Sequence, residues 1–63
     1  MVTYQTDKGP VRVEMQCEGF YLCTLTTAQG YEWMVYVAAL FRDEAVRKAI
    51  RFWYGKDPKF IKQ

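Results

Sequence analysis

Cys17, Cys23, Glu14 and Glu32 are the side chains of this 63-residue chain best suited to chemistry. A cysteine nucleophile works as its thiolate and needs a neighbouring base to form it. The chain contains no histidine and no serine, so only lysines and arginines are on offer. Two cysteines six positions apart also fall short of the ligand count of a structural zinc site. Glu14 and Glu32 can share one face of a sheet, where strand carboxylates are ordinarily solvated. There is no glycine-rich phosphate loop and no nucleophile elbow. These residues predict a non-enzymatic protein with no metal site and no cofactor, in which both cysteines are small residues in or near the core.

The cations offer binding rather than catalysis. Residues 1–41 carry two cations against four acids, net −2, whereas residues 42–63 carry seven against three, net +4. Arg47, Lys48 and Arg51 stand three and four positions apart and project from one side of a helix. A positive patch of this kind attracts an acidic protein surface, a nucleic acid or an anionic membrane. If the ligand is nucleic acid, Arg42, Lys56 and Lys59 extend the track along which phosphates would be gripped. If there is no ligand, the same cations are simply a solvated helix face.

The element that must present them runs over residues 43–54. In Glu44-Ala45-Val46-Arg47-Lys48-Ala49-Ile50-Arg51-Phe52-Trp53, residues Ala45, Val46, Ala49, Ile50 and Trp53 share one side at about 100° per residue. Glu44, Arg47, Lys48 and Arg51 share the other. Asp43 suits an N-cap or a first-turn acid, and Gly55 suits the helix end, with Pro58 beyond it.

Ahead of the helix, residues 2–37 read as a β-meander. Gly9, Gly19 and Gly30 punctuate it at hairpin spacing. Pro10 to Gln16 alternates apolar and polar, and Tyr21, Cys23 and Leu25 continue that phase, as do Tyr31, Trp33, Val35 and Val37. Cys17-Glu18-Gly19 and Ala28-Gln29-Gly30 are three-residue loops ending in a left-handed glycine. They set Val13 opposite Cys23, Met15 opposite Tyr21, Cys23 opposite Val35 and Leu25 opposite Trp33, apolar against apolar. A slip of one residue would mix the faces. Val2 to Thr6 can add a fourth strand, with Tyr4 opposite Val13 across Asp7-Lys8-Gly9-Pro10.

The predicted fold is therefore α+β: a three- to four-stranded antiparallel meander with one amphipathic helix packed across one face, in two layers. Residues 1–63 form a single domain. Val46, Ile50 and Trp53 are expected to fill the space above Trp33 and Val35, with both tryptophans in the core. Residues 56–63 are a tail in which Lys59-Phe60-Ile61 either returns as a short edge strand or lies on the core. The same register sends Phe20, Leu22, Met34 and Tyr36 to the opposite face, beside Arg12, Glu14, Thr24, Thr26 and Glu32. A single helix leaves these four uncovered unless the tail folds over them. Apolar clusters rimmed by polar groups mark contact sites.

Apolar residues make up 51% of the chain and aromatics 17%, a high share for so small a domain. A chain of this length has few residues to wall a substrate cleft, so the surplus points to partner binding or self-association. The first apolar run breaks at Gln5, Asp7 and Lys8, and no stretch approaches a membrane span, so a cytoplasmic location with no membrane partner is expected. Three functions follow. The first is a regulatory protein that binds a larger protein partner through Phe20, Leu22, Met34 and Tyr36 and through Arg47, Lys48 and Arg51. The second is a nucleic-acid-binding protein that uses the basic helix. The third is a homodimer joined through the outer sheet face.

Ala39-Leu40-Phe41-Arg42-Asp43-Glu44-Ala45-Val46-Arg47-Lys48-Ala49, following a strand, resembles the strand–x–Asp-Glu-Ala-x-x-x-Ala–helix segment of small bacteriophage proteins that inhibit host RNA polymerase. It is also similar to segments of HicB-type antitoxins. The likeness covers roughly a quarter of the chain. The phage inhibitors' helix is acidic where this one is basic, so no contact residue carries over. What the resemblance implies is a class: a tiny phage accessory protein that acts on host machinery by binding, in the host cytoplasm.

Overall fold

The computed structural model describes residues 1–61; Lys62 and Gln63, the end of the expected tail, lie outside the described residues. Four strands, β1 (Val2–Thr6), β2 (Gly9–Cys17), β3 (Phe20–Thr26) and β4 (Glu32–Ala38), precede one helix, α1 (Arg42–Tyr54). The strands lie in sequence order, each antiparallel to the next. The helix crosses one face, giving the α+β meander that the alternation predicts.

The two central hairpins have the expected register. Val13 pairs with Cys23, Met15 with Tyr21, Cys23 with Val35 and Leu25 with Trp33. Gly19 and Gly30 hold the left-handed positions of their loops, at φ 81° and 91°. The extra residue of the first loop appears as a bulge between Met15 and Cys17.

The first hairpin differs from expectation. Val2, not Tyr4, stands opposite Val13, and Tyr4 stands opposite Val11. The connection is the tight turn Asp7-Lys8, closed by Thr6 pairing with Gly9. Two features favour the shorter turn. The buried Thr6 hydroxyl donates to Gly9 O at 2.8 Å and accepts from Lys8 N–H at 3.1 Å. Gly9 adopts φ 121°, which side chains resist, and a Cβ there would lie 3.3 Å from Thr26 O. Both registers keep Tyr4 on the inner face, so alternation alone does not choose between them.

The core lies between the helix and the two central strands. Val11, Val13, Tyr21, Cys23 and Leu25 from the sheet meet Ala45, Val46, Ala49 and Ile50 from the helix, with Ala39 beside them. Ala45 and Ala49 bring the helix close enough for the Cys23 thiol to donate to Ala45 O at 3.7 Å. Four inward-phased residues are less buried than expected. Met15 and Tyr31 are exposed near strand ends, Cys17 is exposed at the bulge, and Trp33 is 40% exposed. Trp33 lies on the outermost strand, beyond the helix's full cover. It meets Trp53 at 6.3 Å and Tyr54 at 5.8 Å between ring centroids.

Asp43 is a first-turn acid and not the cap. Phe41 holds the N-cap position without a side-chain hydrogen bond, and Glu44 reaches back to accept from Leu40 N–H at 3.0 Å. Gly55 ends the helix in the left-handed conformation, its N–H bonded to Arg51 O. The described part of the tail then runs along β1 and does not cover the outer face. Asp7 N–H donates to Lys59 O, Ile61 N–H donates to Gln5 O, and Phe60 packs edge-on against Tyr4. Of the two expected placements, Lys59-Phe60-Ile61 takes the sheet-edge one.

Candidate protein-binding surfaces

Strand alternation brings Phe20, Leu22, Met34 and Tyr36 together on the face opposite the helix. Leu22 pairs with Tyr36 and Thr24 with Met34, while Phe20 lies one pair further along, opposite Ala38. The Phe20 and Tyr36 rings are stacked, with centroids 5.5 Å apart and planes within 3°. Tyr36 and Met34 are 58% and 60% exposed, and Leu22 is half-buried between them. Arg12, Glu14, Leu22, Thr24, Met34 and Met1 line a shallow depression of about 220 Å³ on this face.

The rim is polar and nearly neutral. Arg12 spans the sheet to Glu32, its guanidinium 2.9 Å from the carboxylate. Thr24 is buried beneath this pair. An exposed pair of this kind contributes about 0–1 kcal/mol. Its larger effect here is to hold both charges at one side of the aromatic cluster.

The helix cations are arranged differently. Each of the three has its own carboxylate: Arg47 with Asp43 at 3.2 Å, Lys48 with Glu44 at 3.7 Å and Arg51 with Asp57 at 2.6 Å. They also diverge. Lys48 turns toward β4 and donates to Ala38 O at 2.6 Å, whereas Arg47 lies over the Phe60 ring, 5.9 Å from its centre. The shallow groove along this side is lined by Phe41, Asp43, Glu44, Arg47, Lys48 and Arg51, with both signs of charge. Arg42, Lys56 and Lys59 have no carboxylate partner among the described residues. Arg42 opens the helix, and the other two follow its end.

The residues weighed for chemistry are held apart. Cys23 lies fully buried at the sheet–helix interface, and that burial pushes its thiol up to about 11. It is protonated at neutral pH and shielded from any reagent. Cys17 is exposed at the bulge. Among the described residues, no three histidine, cysteine or acidic side chains are grouped to hold a metal ion. No helix among them is long and apolar enough to cross a membrane.

Three surface features were not anticipated. Leu40 and Phe41 are exposed at the strand-to-helix junction, and Phe52 is 72% exposed on the helix. The signal for Phe52 is present in the helical period: it follows Lys48 by one turn and falls outside the stripe from Ala45 to Trp53.

No family model, curated protein or solved structure matches the chain.

Proposed function

We infer that this is a small non-enzymatic binding protein that modulates a larger protein partner through its outer sheet face. The observation that carries this reading is the cluster of Phe20, Leu22, Met34 and Tyr36. It is preassembled by strand pairing, stacked, and left open by both the helix and the described part of the tail. Rigid aromatic side chains give large contact area at low entropic cost, and a desolvated aromatic centre ringed by polar groups is the anatomy of a protein interface. The chemistry that fits is an apolar strip on the partner, with polar groups to meet Glu14 and the Arg12–Glu32 pair. The host-directed phage role implied by the Asp43-Glu44-Ala45 segment is the narrower form of this proposal.

The charge geometry favours a protein over a nucleic acid. The stacked rings lie on one side of the sheet with Arg12, which is engaged by Glu32, while most cations lie across the molecule, three of them beside acids. Single-strand binding by stacking needs aromatics and phosphate-gripping cations in one groove.

The test is capture from host lysate with nuclease treatment, comparing the chain with Met34→Glu and Tyr36→Glu, both at well-exposed positions of the cluster. A carboxylate is cheap on an open surface and costly in a desolvated interface. Capture should be lost in both variants, with thermal stability nearly unchanged. Capture that survives both substitutions, or that vanishes with nuclease, overturns the reading.

A further inference from the structure

We propose that the open edge of β4 is a self-association surface, through which two copies pair β4 to β4 in antiparallel fashion about a two-fold axis at Val35. The proposal stands independently of any partner on the outer face.

The sheet has two edges, and they are treated differently. The β1 edge is covered where the tail runs along it: Asp7 N–H, Gln5 O and the Asp7 carboxylate are all engaged by Lys59 and Ile61. Among the described residues, nothing lies beside the Val2–Thr3 end of β1. The β4 edge has no strand or tail beside it among the described residues. Proteins blunt such edges with prolines, lysines, bulges or inward charges. Glu32-Trp33-Met34-Val35-Tyr36-Val37-Ala38 has no proline, no cation and no bulge, and its single charge is at its first residue.

The ladder fixes which backbone groups are free. Ala39 N–H donates to Gly19 O, and Thr27 N–H donates to Tyr31 O. In an antiparallel ladder the direction alternates, so odd-numbered residues of β4 bond to β3. Glu32, Met34, Tyr36 and Ala38 therefore direct their N–H and C=O groups away from the sheet. The Lys48 ammonium on Ala38 O is the local sign of this, since it occupies an outward carbonyl.

One self-pairing satisfies the rest. With Val35 opposite Val35 of the second copy, Met34 meets Tyr36, Trp33 meets Val37 and Glu32 meets Ala38. Every residue meets one of the same face, so the helices lie on one side and both outer faces on the other. Met34 and Tyr36 exchange both backbone hydrogen bonds with their counterparts, and Ala38 N–H reaches the Glu32 carbonyl. Met34 and Tyr36 gain a cross-strand apolar contact, and no like charges face each other. The contact is isologous and closes on itself. It consumes both bare edges and leaves the two β1 edges, with their tails, outside, so pairing ends at two copies.

Sedimentation equilibrium of the purified chain should give twice the 7.5 kDa chain mass in the micromolar range. A single-chain mass at every concentration overturns the proposal. Met34→Pro removes an outward N–H without breaking the β3 ladder, since proline is tolerated where an edge N–H faces solvent. This variant should stay folded and become monomeric; a folded variant that remains dimeric overturns the proposal. If the proline disturbs folding, a charge pair reads the same register. Met34→Lys with Tyr36→Lys sets cations opposite each other and should give monomer. Met34→Lys with Tyr36→Glu sets opposite charges together and should restore the dimer. Failure to restore it, while both variants remain folded, overturns the Val35-centred pairing. No other protein enters these measurements, so their outcome is separate from that of the lysate capture.

Discussion

Cys23 is the residue whose chemistry its position alters most. Its sulfur sits under Ala45, fully buried, and burial raises the thiol from 9.0 to about 11. An unfolded chain releases this proton near 9, whereas the folded chain retains it until about 11. Over that window the unfolded state binds fewer protons, so stability falls as pH rises. The cost levels off above the folded value, at roughly 2–3 kcal/mol for a shift of this size. Chemical denaturation between pH 8 and about 11 should therefore show a loss in the parent chain that is smaller in Cys23→Ala by roughly that amount. Every other ionisable group is common to both chains, so the difference between the two curves isolates the thiol. Equal slopes would show that Cys23 ionises as freely in the fold as outside it. That Cys23 would be buried was legible from its phase between Tyr21 and Leu25. Cys17 shares the same odd phase but sits at a bulge, where alternation no longer reports which side a residue faces.

At the scale of elements, local signals fared better than distant ones. The loops at Gly19 and Gly30 fix their hairpins through a few residues each, so both registers were legible from turn chemistry. The helix was legible for the same reason, its apolar stripe and Gly55 being contiguous. Trp33 shows where such reading stops. Its alternation places it on the inner face, but whether that face is covered depends on where a helix from elsewhere in the chain comes to rest. The tail is the extreme case, because it pairs residues near 60 with residues near 5. That contact carries a prediction. Asp7 accepts Lys59 N–H at 2.9 Å through its carboxylate and donates its own N–H to Lys59 O at 2.9 Å. Asp7→Ala removes the first bond and leaves the second. The expected cost is about 1 kcal/mol, the net worth of one ordinary hydrogen bond. The loosened strand should also exchange the Ile61 amide faster, while amides of β2 and β3 are unaffected. Uniform acceleration would place Asp7 in the global fold and not at the tail.

The whole molecule carries a net charge of +2, and its arrangement decides what that charge can do. Lys8, Arg12, Arg47, Lys48 and Arg51 each lie within 4.0 Å of a carboxylate. Among the described residues Arg42, Lys56 and Lys59 remain, the first opening α1 and the other two following its end. Phosphates contacted by three scattered cations would give a salt slope of about −2 at −0.7 per contact on single strands. A track using the paired helix cations as well would approach about −4. Fluorescence titration of a single-stranded oligonucleotide across a salt series should therefore show weak association and a slope no steeper than the first value. Changing Arg47, Lys48 and Arg51 together to glutamine should leave that slope unaltered. A slope near the second value that collapses in the triple variant would mean that phosphates displace Asp43, Glu44 and Asp57, making the helix a nucleic-acid surface. Loss of protein capture in the same variant, with the oligonucleotide slope unchanged, would instead join the helix to the protein interface. The sequence pattern shows the basic stripe but not its neutralisation. The i, i+4 acids at Asp43 and Glu44 are visible along the chain, whereas Arg51 meets Asp57 only after Gly55 has turned the backbone.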